Sequence, residues 1–162
     1  MEDCGDAVLR RLLAEHRGDV VATHAQHGDA TAIVDPDCVI DVLEFLRDDP
    51  ECEFEMLTDL TAVDHLGEEP RFEVVYHLKS ITHGHRLRIK ARISESVPVI
   101  ASAVPLFASA NWMEREAFDL YGIRFEGHPR LERILLYDEF EGHPLRKDYP
   151  KEKRQPLVGS RS

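Results

Sequence analysis

Two stretches near the middle of the chain, Arg71–Lys79 and Arg86–Ile93, leave few choices for the fold. Phe72, Val74, Tyr76 and Leu78 alternate with Glu73, Val75, His77 and Lys79. Leu87, Ile89, Ala91 and Ile93 alternate in the same way with Arg86, Arg88, Lys90 and Arg92. Successive side chains on a strand point to opposite faces, so this period of two specifies a pair of half-buried strands. Ser80–Gly84 supplies the turn between them, which makes the pair an antiparallel hairpin. Keeping both apolar sets on one face requires facing residues with an odd index sum. With Lys79 opposite Arg86, that register sets Glu73 opposite Arg92 as an exposed pair.

The rest of the chain supplies what such a sheet needs to cover it. Val8, Leu9, Leu12 and Leu13 line one face of a helix expected over Ala7–Arg17 and ended by Gly18. Val20–Thr23 and Ala30–Val34 read as short strands joined through His24–Asp29. Asp35-Pro36 opens a second helix, Asp as N-cap and Pro as first helical residue, and Pro50 follows its end. In that helix Val39, Ile40, Val42, Leu43 and Leu46 form a broad apolar face. Glu53–Asp64 is a further strand. The order helix, strand, strand, helix, strand, strand, strand, helix implies an α+β fold over residues 1–122. It reads as a two-layer domain, its helices packed on one mixed or antiparallel sheet. A chain of 162 residues that is 43% hydrophobic is long enough for one such core. Ser96–Met113 carries no charge, but Pro98, Pro105 and its small and polar residues argue against a spanning helix. A short packed helix or loop is expected there, with no direct membrane insertion.

Asn111–Pro150 has a different character. Asn111 with Glu114 has the spacing of a capping box, and Gly122 stands where a helix C-terminus accepts a left-handed residue. Met113, Ala117 and Leu120 share the apolar face of this helix. Arg115, Glu116 and Asp119 gather with Trp112 on the other, where Arg115 and Asp119 are spaced to pair. Residues 123–150 then form an extended arm in which Phe-Glu-Gly-His-Pro occurs twice, at Phe125–Pro129 and Phe140–Pro144. Each Pro drives the preceding His toward an extended conformation and each Gly permits the turn before it. Such an arm is expected to lie on another surface, so that truncation after Gly122 leaves a folded domain. Residues 151–162 read as a basic, disordered tail.

Several fragments of this region carry a resemblance. Glu114-Arg115-Glu116, Phe118-Asp119-Leu120-Tyr121-Gly122-Ile123, Phe125-Glu126-Gly127-His128-Pro129, Arg133-Ile134-Leu135-Leu136 and Gly142-His143-Pro144-Leu145-Arg146-Lys147-Asp148-Tyr149-Pro150 occur in that order. Together they resemble the C-terminal signature of the C subunit of NADH:quinone oxidoreductase, respiratory complex I. Leu57–Asp64 and Arg71–Leu78 resemble the family's central strands, so the likeness runs from about residue 54 to 150. Tyr137 and Phe140 depart from the Pro and Trp expected in many relatives.

Charge and motifs limit the alternatives. The net charge of −11 argues against a broad nucleic-acid-binding surface. It is unevenly spread: residues 1–69 carry −15, residues 70–141 are neutral and residues 142–162 carry +4. Cys4, Cys38 and Cys52 lack the close spacing of zinc, redox or iron–sulfur sites and read as free thiols. The acidic N-terminus has no apolar stretch of a signal peptide. Among nine histidines, His83 and His85 fall in or beside the hairpin turn, while His128 and His143 belong to the Gly-His-Pro turns. Neither a Gly-x-Ser-x-Gly elbow nor a Gly-rich phosphate loop occurs, so no self-contained active site is expected.

The resemblance implies a scaffold subunit of the hydrophilic arm, peripheral on the cytoplasmic face of the bacterial inner membrane. FMN and iron–sulfur clusters would belong to other subunits, and the contacts would be with subunits D, B and I. It marks Glu114, Arg115, Glu116, Asp119, Tyr121, Gly122, Gly127, His128, Pro129, Arg133, Gly142, His143, Pro144, Arg146, Lys147 and Asp148 as interface or signature residues. Two alternatives stay open. One is the equivalent scaffold of a related membrane-bound hydrogenase or other quinone oxidoreductase; the other is a metal-dependent enzyme using His128 and His143.

Overall fold

The computed structural model describes residues 4–157, so Met1–Asp3 and residues 158–162 lie outside the described part. The elements are α1 (Cys4–Glu15), β1 (Val20–His24), β2 (Thr31–Val34), α2 (Val39–Asp48), β3 (Met56–Asp64), β4 (Phe72–Lys79) and β5 (Arg86–Ile93). They are followed by β6 (Val99–Ala101), α3 (Ala110–Tyr121) and β7 (Arg124–Glu126). The α+β reading holds, and the sheet is mixed: in the order β1-β2-β5-β4-β3 every neighbouring pair is antiparallel except β2 with β5.

The hairpin has the predicted register, Lys79 opposite Arg86 and Glu73 opposite Arg92. The expected exposed pair does not form. Glu73 is only 6% exposed and holds Lys90 at 3.0 Å, while Arg92 turns to Glu68 at 2.8 Å. Strand twist brings the diagonal neighbour, two residues along, closer to Glu73 than the residue directly opposite.

One face of the sheet is dry. Ala32, Val34, Leu60, Ala62, Phe72, Val74, Tyr76, Leu78, Leu87, Ile89 and Ala91 form a single core with Val8, Leu9 and Leu12 of α1 and Val39, Val42, Leu43 and Leu46 of α2. Asp35 caps the second helical region as expected, accepting the Asp37 N–H at 2.9 Å, but its first turn is 3-10 (Pro36–Cys38). β3 begins at Met56 rather than Glu53, because the chain is still turning there: Glu53 has φ +42 and Phe54 donates back to Leu46. Glu53 also faces His83 at 3.2 Å, and His85 meets the Cys52 carbonyl at 2.8 Å. Both histidines thus tie the hairpin turn to the end of α2. Cys38 and Cys52 are free thiols; the Cys4 side chain lies outside the described residues.

The segment before α3 holds a strand that its composition hides. β6 pairs in parallel with β7, so residues 124–126, read as the start of an arm, complete a small second sheet. Ile123 and Phe125 are buried in the main core. α3 lies beside β3 and closes that sheet edge: the Leu60 N–H meets the Met113 sulfur at 3.0 Å and Ser109 donates to the Leu57 carbonyl at 3.1 Å.

The boundary at residue 122 is therefore corrected toward residue 127. Truncation after Gly122 removes two core side chains, each worth about 3 kcal/mol by the usual cost of emptying a buried site. A fragment ending at Gly127 is expected to melt cooperatively, and one ending at Gly122 to melt far lower or not cooperatively. Equal thermal transitions for the two would contradict the placement of Ile123 and Phe125.

Candidate functional site

α3 is the element on which the signature residues converge. The expected capping box is absent. The N-cap is Ser109, without a side-chain cap bond, and Asn111 lies inside the helix. The helix grows out of a preceding turn, in which Ala110 donates to Phe107 and Asn111 to Ala108, so its first amides already have partners. Glu114, freed from that task, is buried; its carboxyl meets the Ser102 hydroxyl and the Ala103 N–H, both at 2.6 Å.

The charged face of α3 carries the arm. Asp119 is buried, and one of its oxygens accepts the successive N–H groups of Ile134 (3.2 Å), Leu135 (2.9 Å) and Leu136 (2.9 Å). Three convergent amides and Arg133 at 3.7 Å compensate a carboxylate out of contact with water. Arg115 does not pair with Asp119. It lies 5.0 Å from the Trp112 ring centroid and donates to the carbonyls of Glu132 (3.0 Å) and Arg133 (3.3 Å). Arg133 in turn donates to the carbonyls of Tyr137 and Phe140.

The far end of the arm caps the helix. The carbonyls of Asp119, Leu120 and Tyr121 accept from His143 Nδ1 (3.0 Å), the Leu145 N–H (3.2 Å) and the Arg146 guanidinium (2.7 Å). These are last-turn carbonyls without partners inside the helix, so a cation and two neutral donors are well placed there. A carbonyl only accepts, so His143 carries its proton on Nδ1; burial pushes its pKa down and keeps it neutral. Gly122 is required twice. It has φ +75, and a Cβ there would lie 2.5 Å from His143 Nε2 and 2.9 Å from Arg146.

A second anchor joins the marked Asp148 to Arg71, Asp64 and Glu95, which were not marked as site residues. Arg71 is buried at the mouth of the β3–β4 hairpin and binds both oxygens of Asp64 at 2.8 Å. It also binds Glu95 at 2.6 Å and both oxygens of Asp148 at 2.8 and 3.0 Å. Asp64 further accepts the Lys147 N–H at 2.7 Å. Arg71 holds the carboxyls of Asp64 and Asp148 below the usual range. The guanidinium of Arg146 lies 4.9 Å from the centroid of the Phe72 ring. The sequence did carry a signal for the Asp64–Arg71 pair: Asp64 ends one strand and Arg71 precedes the next, so closing the hairpin brings them together.

The other marked residues have plainer places. His128 spans the Asn111 carbonyl at 3.1 Å and the Arg130 N–H at 3.0 Å, before Pro129. Gly127 and Gly142 have positive φ, and Pro144 follows the capping His143. Tyr121 contributes its carbonyl to Arg146, Lys147 only its main chain to Asp64, and Glu116 faces solvent. The arm thus lies on its own domain and not solely on another surface. The expectation of a disordered tail is likewise corrected for residues 151–157. Gln155 bonds Glu141 and the Tyr149 hydroxyl, Lys153 donates to Glu141, and Tyr137 donates to Pro156. Residues 158–162 lie outside the description.

The family described as "Respiratory-chain NADH dehydrogenase, 30 Kd subunit" matches residues 32–155. The chain belongs to this family. Relatives named as the C subunit of NADH-quinone oxidoreductase include one from Roseiflexus sp. (strain RS-1), 49% identical over 88% of this chain and 82% of its own. Another, from Trichlorobacter lovleyi, is 46% identical over 98% of both chains. Among solved structures, the trypsin-resistant fragment (1–134) of Nqo5 is 28% identical with a TM-score of 0.68, covering 79% of this chain and 99% of its own. A chain of an archaeal respiratory membrane complex, the membrane-bound sulfane sulfur reductase, shares the fold at 22% identity and a TM-score of 0.76, over 91% of this chain and 86% of its own.

For this member of the 30 kDa family the Arg71 cluster gives a graded expectation. R71A leaves Asp64 buried without its cation and should cost about 3–5 kcal/mol in urea unfolding. D148N, at a half-exposed carboxylate, should cost about 1 kcal/mol or less. Because the Asp64 and Asp148 carboxyls titrate below their unfolded values, their contribution is full above about pH 4 and is lost as pH falls further. An R71A chain as stable as the parent would show that the cluster is idle.

Proposed function

We propose that the chain is a structural subunit of the hydrophilic arm of NADH:quinone oxidoreductase. In that role it supports electron transfer from NADH, through FMN and iron–sulfur clusters on other subunits, to quinone, coupled to proton translocation. The observation that carries this reading is the family match over residues 32–155, joined to relatives named as the C subunit at 46–49% identity. Its contribution is positional: the chain holds no cofactor and offers neighbouring subunits a fixed surface. Subunits D, B and I are the proposed partners, and the cytoplasmic face of the inner membrane the proposed place. No helix among the described residues is long and apolar enough to cross a membrane, which suits peripheral attachment.

The geometry supports α3 and the arm as the docking element. Trp112 is 64% exposed on a helix whose other large apolar side chains are at least partly covered, and Leu135 is 60% exposed on the arm that the helix carries. Exposed aromatic and apolar groups on a hydrogen-bonded support are what a partner buries with little loss of entropy.

A second reading, the same role in a membrane complex with another electron donor, draws on the fold shared with the sulfane sulfur reductase chain. Purification through a tag on this chain from detergent-treated membranes discriminates. Co-purifying flavin and NADH:quinone activity are expected, with the isolated chain itself colourless and inactive. Recovery of an enzyme without NADH activity would favour the second reading, and flavin or a cluster on the chain alone would defeat both.

The variant Gly122→Ala tests the docking element. The new Cβ must displace His143 and Arg146, so the domain should melt only a few degrees lower while assembly on native gels is lost. Full assembly with this variant would exclude the arm from docking.

A further inference from the structure

Basic side chains follow one another along the outward face of β5: Arg86, Arg88, Lys90 and Arg92. α1 and α2 pack on the opposite face of the sheet, so these groups have no helix over them. Strand register sorts the outward residues into rows. Val63, Glu73 and Arg92 form one, and Thr61, Val75 and Lys90 the next. Asp59, His77 and Arg88 follow, and Met56, Lys79 and Arg86 make the last row, beside the hairpin turn. Carboxylates answer the β5 cations of the other rows: Arg92 has Glu68 at 2.8 Å, Lys90 has Glu73 at 3.0 Å and Arg88 has Asp29 at 3.1 Å. The last row has no such answer. Lys79 and Arg86 stand directly opposite each other, and among the described residues the side chain of neither is in an ion pair or a hydrogen bond.

Like charges directly opposite on paired strands destabilise a sheet, and a glutamate at either position would turn the repulsion into attraction. In a chain with 31 acidic residues against 20 Lys and Arg, the missing carboxylate is not a matter of supply. An arrangement that works against local stability marks a place where something else is met. The row borders a cleft of about 800 Å³ whose walls include Met56, His77, Lys79, Arg86 and Arg88. Of the acids that line it, Asp29 is spent on Arg88 and Asp59 stands a row away, opposite His77. Apolar groups lie beside the free cations: Met56 is 44% exposed and Ile81, in the turn, 66%. The turn itself is fixed. Glu55 accepts the Ile81 N–H at 2.8 Å and the Thr82 hydroxyl at 2.6 Å, in addition to the ties made by His83 and His85. An exposed apolar group on so firm a support loses little entropy when it is covered.

We propose that the row of Met56, Lys79 and Arg86, with the adjoining turn, is a second docking surface, and that its occupant is an acidic segment of another subunit. Carboxylates of that segment meet Lys79 and Arg86, and an apolar side chain beside them covers Ile81. The proposal rests on the reading of this chain as one subunit among several. Docking supplies the negative charge that the row lacks and relieves the repulsion between Lys79 and Arg86. Because the whole chain carries −11, an acidic segment is repelled in general and gains only where cations stand free. The same charge balance sets the segment's position on the surface.

The test places the photo-crosslinker p-benzoylphenylalanine at Ile81 of the full chain, and separately at Trp112, in the complex purified from membranes. Captured peptides are identified by mass spectrometry. From Ile81, a peptide of another subunit carrying neighbouring Asp or Glu residues is expected. K79E and R86E each leave an attractive pair in the row, so each should melt about 1–3 °C above the parent. In the same variants capture from Ile81 should fall about tenfold or more, while capture from Trp112 is kept. A captured peptide without acids, or one from a second copy of this chain, overturns the proposal. So does capture that survives both variants, or a variant that melts below the parent. Capture from Trp112 with none from Ile81 overturns the second surface alone, whereas silence from both positions removes the subunit reading and this proposal with it.

Discussion

The buried guanidinium of Arg71 is the interaction on which the shape of this molecule depends. It joins the end of β3 through Asp64, the segment after β5 through Glu95 and the distal arm through Asp148, with separations of 2.6–3.0 Å. A cation removed from water needs several well-aimed acceptors, and here they come from parts of the chain far apart in sequence. Arg71 is therefore satisfied only when the sheet and the arm are both in place. Local unfolding of the arm would leave a buried cation with fewer partners, so the arm is held more firmly than its small apolar content would allow.

α3 works as a two-sided beam between these parts. Its inner side meets β3 through Met113 and the β6–α3 crossing through Glu114. Its outer side gathers the arm through the Asp119 carboxylate, and its C-terminus is closed by His143, Leu145 and Arg146. For a subunit whose work is to hold others in position, such rigidity is the relevant property. A partner that buries Trp112 and Leu135 meets groups already fixed by main-chain bonds, so little ordering remains to be done on docking.

The charge pattern fits this division. Most of the acidic excess of the first 69 residues sits outside the α3–arm assembly, while Arg115, Arg133 and Arg146 are drawn into it. Arg133 and Arg146 serve as donors to carbonyls more than as partners of free carboxylates. The Gly-His-Pro repeats that invite a catalytic reading bring each histidine against a main-chain carbonyl of α3, His128 at Asn111 and His143 at Asp119.

What the sequence determined by itself was whatever rests on short-range periodicity and turn chemistry. The β4–β5 hairpin, its register, the capped entry to α2 and the left-handed end of α3 at Gly122 were all legible, because neighbouring residues decide them. So was the family, through fragments whose order survives any folding. Tertiary structure alone decided where the charged side chains go. Glu114 has the spacing of a cap residue and Asp119 that of a partner for Arg115, yet both are buried against other groups, because their partners at 102–103 and 134–136 lie elsewhere in the chain. Glu73 was given the right neighbour and took another, since twist selects between opposite and diagonal residues. β6 and β7 were invisible because each is three residues long and acquires its ladder only from the other. A carboxylate's fate depends on the donors that converge on it, and convergence is a property of three dimensions.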